Sequence, residues 1–316
     1  MIKIEKLLRK TQKELFAYLT DKFKSVAVSQ DDNFVYVPGE APILLVAHLD
    51  TVHRNPVKII CYSRSGNILM SPQGIGGDDR CGVYALLKIY EKSTVKPHLV
   101  FTCDEETGGF GAEAFAHYMA EEIKKTTINP FKLIVEIDRK GRKDAVYYNC
   151  ANKEFEDYIT AKGFVTDYGS FSDISIIAPA IGIAAVNLSS GYYNAHTEHE
   201  YINRQELYNV IHKVETIVKE SISDKVPVYE YKEDPKTVYN KYQYTSPYYG
   251  SKFWEEDLSE EIPLYLQAEY DFLAEIYGQT EIDEYRKLYG NSIINELYEE
   301  EIRYQQESGN VNQYRG

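Results

Sequence analysis

The sequence predicts an α/β fold: a three-layer sandwich with a mostly parallel central sheet flanked by helices, followed by a C-terminal, mainly helical extension. Three observations predict it. Continuous apolar runs, the mark of strands buried on both faces, alternate with stretches of helical spacing up to about residue 223. The acidic and histidine residues cluster just after those runs, where open α/β sheets bind their ligands. Beyond residue 223 the texture changes to an acidic, tyrosine-rich segment with few aliphatic runs, which sets the expected domains at 1–223 and 224–316.

Each element follows from its pattern. Leu7, Leu8, Leu15, Leu19 and Phe23 stand at helical spacing and predict one amphipathic helix from Ile4 to Phe23. Phe34-Val35-Tyr36-Val37 reads as a strand ended by Pro38-Gly39. Buried strands are expected at 43–47, 99–102, 133–137 and 181–188, with helices at Gly82–Lys92, Gly111–Lys124, Asn152–Lys162 and Arg204–Ser221. Val57–Ser63 and Asn67–Met70 are expected as antiparallel additions. In the extension, Tyr229 to Trp254 is a proline-broken, tyrosine-rich stretch. Helical spacing returns at Leu264–Ile276 and Ile282–Tyr304, and Gln305–Gly316 reads as disordered. Its tyrosines would suit an accessory cap, or a surface for a protein partner or self-association.

Composition narrows the function classes. The chain has 316 residues, 43% hydrophobic and 27% charged, as in an ordinary globular protein. A net charge of -14 argues against nucleic acid as a partner. No stretch resembles a signal peptide or a membrane span, and the four cysteines (Cys61, Cys81, Cys103, Cys150) form no CxxC pair. These point to a cytoplasmic protein with reduced thiols, in which Cys81 and Cys103 are small buried hydrophobes rather than ligands.

The chemistry-bearing residues come next. The strand at 43–47 runs into His48-Leu49-Asp50, the strand at 99–102 into Asp104-Glu105-Glu106, and the strand at 133–137 into Asp138. The strand at 181–188 leads to a loop with His196, and Asp78-Asp79 follow the glycine-rich turn Gly74-Ile75-Gly76-Gly77. Imidazoles and carboxylates gathered at one sheet edge suit a divalent metal of borderline hardness. Such a set of buried acids costs several kcal/mol per unpaired charge unless cations balance it. Other readings stay open for single motifs. Asp78-Asp79-Arg80 would also make a charged first helical turn, Asp138-Arg139-Lys140 a solvated turn, and Ser172-Asp173 either a pocket element or a turn. His53, His98, His117 and His212 have no partner pattern and default to structural or surface roles.

Together the motifs resemble those of the co-catalytic zinc exopeptidases, the clan of aminopeptidases, tripeptidases and carboxypeptidases. Five occur in that clan's order over roughly residues 40–205: His48-Leu49-Asp50-Thr51-Val52, Gly77-Asp78-Asp79-Arg80-Cys81-Gly82, Asp104-Glu105-Glu106-Thr107-Gly108, Ile137-Asp138 and His196-Thr197-Glu198-His199-Glu200. The resemblance implies two divalent metal ions, zinc by preference with cobalt or manganese suited to the same ligands. His48 and Glu106 would be terminal ligands of different ions and Asp78 the bridge. Asp138 would complete one site and His196, which competes with His199, the other. Asp50 would orient His48, and Glu105 would move the proton as general base and acid.

The implied activity is a metallopeptidase, an aminopeptidase or a di- or tripeptidase acting on peptides. An amidohydrolase or deacylase acting on N-acyl amino acids is the alternative on the same metals, and a catalytically silent binding protein the alternative from another class. One departure bears on the substrate: the interval from Asp138 to His196 is too short for the lid domain that many relatives insert there.

Overall fold

The computed structural model describes residues 2–30, 32–53, 55–234 and 267–280, with a few further positions between 282 and 298. It divides into two units, 1–243 and 244–316.

The first unit begins with α1 (Ile4–Leu8) and α2 (Gln12–Phe23) where the spacing predicted one helix. The break has a local cause. The Thr11 side chain accepts the Glu14 N–H while the Glu14 carboxylate accepts the Thr11 N–H, a reciprocal capping box that starts a new helix at Gln12. The edge strands β1 (Val28–Gln30) and β2 (Phe34–Val37) follow, then the central β3 (Ala41–His48). After β4 (Cys61–Tyr62) and β5 (Ile68–Met70) come α3 (Gly77–Lys92), β6 (Pro97–Thr102), α4 (Phe110–Thr126), β7 (Leu133–Arg139), β8 (Asp144–Val146), α5 (Lys153–Thr160) and β9 (Val165–Asp167). The unit continues with α6 (Asp173–Ile181), β10 (Ala185–Ser189), β11 (Tyr192–Tyr193), β12 (Tyr201–Asn203) and α7 (Arg204–Ser221).

An eight-stranded sheet runs in the order β1-β2-β6-β3-β7-β10-β8-β9. Its centre is parallel, through β6–β3, β3–β7 and β7–β10, as is β8–β9; β1–β2, β2–β6 and β10–β8 are antiparallel. Within the expected additions at 57–63 and 67–70 only Cys61–Tyr62 and Ile68–Met70 are strands, β4 and β5, antiparallel to each other in a second sheet of order β11-β12-β5-β4. The two faces of β3 separate two cores, as the period of a strand requires. Leu45 and Ala47 pack with Val83 and Leu86 of α3 and Val210 and Val214 of α7, whereas Leu44 and Val46 pack with Phe115 of α4 and Ile174 and Ile177 of α6. Helices on both sides of a mostly parallel sheet are the predicted three layers.

One predicted strand is displaced. The apolar run from Ile181 does not enter the sheet until Ala185, because Ile181 closes α6 and Gly182 turns the chain with a left-handed φ of 72°. An unbroken apolar run cannot by itself separate a helix end from a strand start. Residues 224–234 stand with the first unit. Val226 and Tyr229 are buried in its core, and Glu230 forms an isolated bridge with Ile183.

The second unit contains α8 (Gln267–Tyr277), whose Tyr270 and Leu273 pack with Ile282 and Ile294. The proline-broken stretch from 235 to Trp254, most of the helix expected at 282–304, and the end expected to be disordered lie outside the described residues. No helix among the described residues is long and apolar enough to cross a membrane.

His98 illustrates a structural histidine. Its Nδ1 lies 2.6 Å from the Tyr36 hydroxyl, and Phe131 meets its ring edge-on at 5.0 Å. Burial lowers its pKa to about 4. A depressed folded value means that the stability from keeping this ring neutral is whole above the unfolded value near 6.5 and is lost as pH falls through about 4. The loss amounts to roughly 3 kcal/mol. Denaturant titrations at pH 7 and pH 4 are expected to show a smaller acid loss in His98→Gln than in the parent.

Candidate metal centre

The strand ends deliver the site. His48 ends β3, Asp138 lies near the end of β7, Glu105 and Glu106 sit in the turn from β6 to α4, Asp78 is in the first turn of α3, and His196 is in the loop from β11 to β12. All five candidate ligands converge.

His48 Nε2 lies 3.1 Å from Asp78 Oδ1 and 3.4 Å from Asp138 Oδ1. His196 Nε2 lies 3.3 Å from Asp78 Oδ2 and 3.2 Å from Glu106 Oε2. Three sets of three potential ligands result, His48–Asp78–Asp138, Asp78–Glu106–His196 and His48–Glu105–Glu106. The first two share only Asp78, which turns one oxygen to each histidine. For bonds of 2.0–2.1 Å in tetrahedral coordination, neighbouring ligand atoms stand about 3.3–3.4 Å apart. The observed separations of 3.1–3.4 Å fit that spacing.

The electrostatics point the same way. Burial, then Asp78, push the Asp138 carboxyl up to about 7. Burial, with Asp138, Asp173 and Glu106 beside it, pushes Glu105 up to about 9 against the pull of His48. Hydrogen bonds to Asp78 and Glu106 raise His196 to about 11. Burial opposes charge on Asp78, yet bonds from His196 and His48 hold it well below the usual carboxylate range. Divalent cations would relieve this crowding of like charge. Glu106 Oε1 and Asp138 Oδ1 are buried without a hydrogen-bond partner, as oxygens awaiting a cation would be. The donor set of imidazole nitrogens and carboxylate oxygens fits zinc.

Asp50 does more than the sequence suggested. Its Oδ1 lies 3.1 Å from His48 Nδ1, so that Nε2 faces the cluster, and also accepts the Glu105 N–H at 3.1 Å. Its Oδ2 accepts the Glu106 N–H at 2.9 Å. One carboxylate thus aligns a candidate ligand ring with the backbone of two further site residues.

His199 is exposed and stands outside all three sets, whereas His196 belongs to one. His212 pairs with Glu215, and His117 is exposed. Asp79 accepts the Gly82 N–H at 2.8 Å, the helix-start role open to this motif, and Arg80 is buried and donates to the carbonyls of Leu49, Asp50 and Lys10. All four cysteines are free, with Cys81 and Cys103 buried and in none of the three sets.

Beyond Asp50, sequence reasoning gave no role to several residues that position the candidate ligands. Glu200 is fully buried and accepts the N–H groups of Gly76 and Asp78, each at 2.9 Å, while His53 Nε2 lies 2.8 Å from it. It therefore anchors the glycine-rich turn that carries Asp78. Asn187 donates to Asp138 Oδ2 at 3.3 Å and accepts the Asp138 N–H at 2.9 Å. Glu136 is buried on β7 and accepts a hydrogen bond from Ser172. The available signal was a polar residue inside a buried apolar run, at Asn187 and at Glu136.

Gly82 is where the site depends on a missing side chain. A Cβ there would stand 2.4 Å from the Ile137 carbonyl oxygen and 2.3 Å from an Asp79 oxygen. Gly82→Ala is expected to lower stability by about 1–3 kcal/mol and to weaken metal binding through the displaced Ile137-Asp138 backbone. Chemical denaturation and metal analysis of the variant check both effects.

No family model matches the sequence, and no curated protein matches it. Solved structures do. An aminopeptidase PepT from Bacillus cereus superposes with a TM-score of 0.52 at 16% identity, over 70% of this chain and 97% of the other. A tripeptidase from Staphylococcus aureus gives 0.53 at 15% identity, over 69% and 96%. A TET aminopeptidase from a marine-sediment Thaumarchaeota archaeon gives 0.52 at 12%, over 69% and 97%. The chain has the fold of these aminopeptidases. This peptidase fold is the one implied by the resemblance of the five motifs, and it spans nearly the whole of each neighbour.

Proposed function

We propose that the protein is a metallopeptidase of the exopeptidase type, an aminopeptidase or a di- or tripeptidase that uses two divalent ions, zinc by preference. The observation that carries this reading is the division of labour at Asp78, whose two oxygens face two different histidine–carboxylate pairs. Two bound ions would lower the pKa of water and stabilise the oxyanion of the tetrahedral intermediate.

The chain's own residues have separable tasks. His48 and Asp138 with Asp78 would hold one ion, and Glu106 and His196 with Asp78 the other. Glu105 belongs to neither pair; its Oε2 stands 4.0 Å from His48 Nε2, and its side chain is 12% exposed. It can reach the water and the leaving group while staying shielded from bulk solvent. As general base and then general acid it would take the proton of the attacking water and deliver it to the departing amine. Asp50 fixes the geometry of this relay through the bonds described above.

The test is a panel of short peptides with free and with acetylated N-termini, assayed with zinc. Release of the N-terminal residue from the free peptides supports the reading. Turnover confined to the acetylated substrates identifies a deacylase instead, and no turnover of either, with both ions bound, would falsify the enzymatic proposal.

A further inference from the structure

We infer that the site includes a subsite for a large apolar or aromatic side chain, that of the N-terminal residue of the peptide, formed by Phe110 and Phe171 with Tyr168 at its rim. The inference rests on the peptidase reading and specifies its substrate class.

Among the described phenylalanines, Phe110 and Phe171 alone are exposed, at 55% and 41%. The others are buried or half-buried, as the hydrophobic effect demands. Single exposed apolar residues are ordinary on a protein surface, but these two flank the same turn. A Cβ on Gly109 would stand 2.8 Å from Phe171 Cζ, and one on Gly108 would stand 3.7 Å from the Phe110 ring. That turn starts at Glu105 and Glu106: the Gly108 N–H donates to the Glu105 carbonyl at 3.0 Å. Both rings therefore lie at the glycine end of the turn that begins with the candidate general base and one candidate ligand. Gly109 has a φ of 72°, so a side chain there would be strained as well as in collision with Phe171.

The segment that presents Phe171 is tied to the other half of the site. Arg139, next to Asp138, donates to the Tyr168 carbonyl at 3.0 Å and reaches the Asp167 carboxylate at 3.3 Å. Ser172, next to Phe171, donates to Glu136. It also accepts from the Asn187 side-chain amide at 3.2 Å, the same amide that donates to Asp138. Tyr168, 91% exposed, projects from this anchored segment. Exposed aromatic rings, one on the first turn of α4 and one on a segment anchored by the buried bonds of Ser172, make an apolar surface beside the candidate site, and rigid rings bind apolar groups at low entropic cost. A substrate side chain that covers these rings removes apolar area from water on both partners.

The experiment uses the full chain loaded with zinc and the tripeptides Phe-Gly-Gly, Leu-Gly-Gly and Gly-Gly-Gly. The parent is expected to favour Phe-Gly-Gly and Leu-Gly-Gly over Gly-Gly-Gly by about tenfold or more in kcat/KM. Phe171→Ala and, independently, Phe110→Ala are expected to shrink the Phe-to-Gly ratio by about fivefold or more. A merely structural lesion lowers both substrates together and leaves the ratio in place. Ile128→Ala, at an exposed apolar residue in the turn after α4, serves as the control and keeps the parent ratio. A parent ratio near one, or an unchanged ratio in both phenylalanine variants, overturns the subsite while leaving the peptidase reading intact. Failure to cleave any of the three peptides with two ions bound overturns that reading and the subsite with it.

Discussion

Glu105→Gln is expected to lower kcat by about 10²–10⁴ while the protein still binds two zinc ions. Glutamine keeps the shape of the side chain and its place beside the cluster but cannot accept a proton from water or return one to a leaving amine. Glu105 belongs to neither of the two triads that meet at Asp78, and its backbone N–H remains held by Asp50 at 3.1 Å. The metal content should therefore be that of the parent. Activity and metal stoichiometry measured on the same sample separate the two roles. A Glu105→Gln protein with full activity rules out the proton-transfer role, and one that has lost an ion makes Glu105 a ligand.

The second large effect is at Asp78. Asp78→Asn is expected to remove both ions, because the residue contributes an oxygen to each histidine–carboxylate pair and the amide carries no charge to offset a dication. Asp138→Asn and His196→Ala each touch one pair and are expected to leave one ion bound. Inductively coupled plasma analysis of the three variants gives the pattern. Equal losses from all three would mean that the sites are not joined through Asp78. Breaking a group of buried charges by removing one partner typically costs about 3–5 kcal/mol, so metal binding should be compared at a temperature well below the unfolding transition of each variant.

Much of this was legible in the sequence, for a physical reason. Strands buried on both faces are written as unbroken apolar runs, so β3, β6 and β7 could be placed within a few residues, and the groups at their ends with them. His48, Glu106 and Asp138 are close in space because their strands are neighbours in the sheet, which the order β6-β3-β7 expresses. Two elements were misplaced by reading hydrophobic period alone. The capping box of Thr11 and Glu14 interrupts a pattern whose apolar spacing continues across it, and hydrophobic period alone does not register such a break. The Ile181 run changes from helix to strand at Gly182 with no loss of hydrophobicity.

The supporting residues were harder still. Glu200 stands in the fifth motif, yet it acts on backbone amides more than a hundred residues away, at Gly76 and Asp78, and the motif does not announce that use. Asn187 gains its role only because β10 pairs with β7, which puts it beside Asp138. Ligand types and spacing can be read locally, whereas the shell that aims them depends on strand pairing and on loops that meet only after folding.

The central claim is that one chain holds two divalent ions and needs them for hydrolysis. It is tested most directly by metal analysis of the protein expressed with zinc, joined to peptidase assays before chelation, after it and after zinc is restored. The account predicts two equivalents of divalent metal per chain, loss of activity on chelation and its return on reconstitution. A protein that carries no stoichiometric divalent metal, or one whose hydrolysis survives complete chelation, would contradict it.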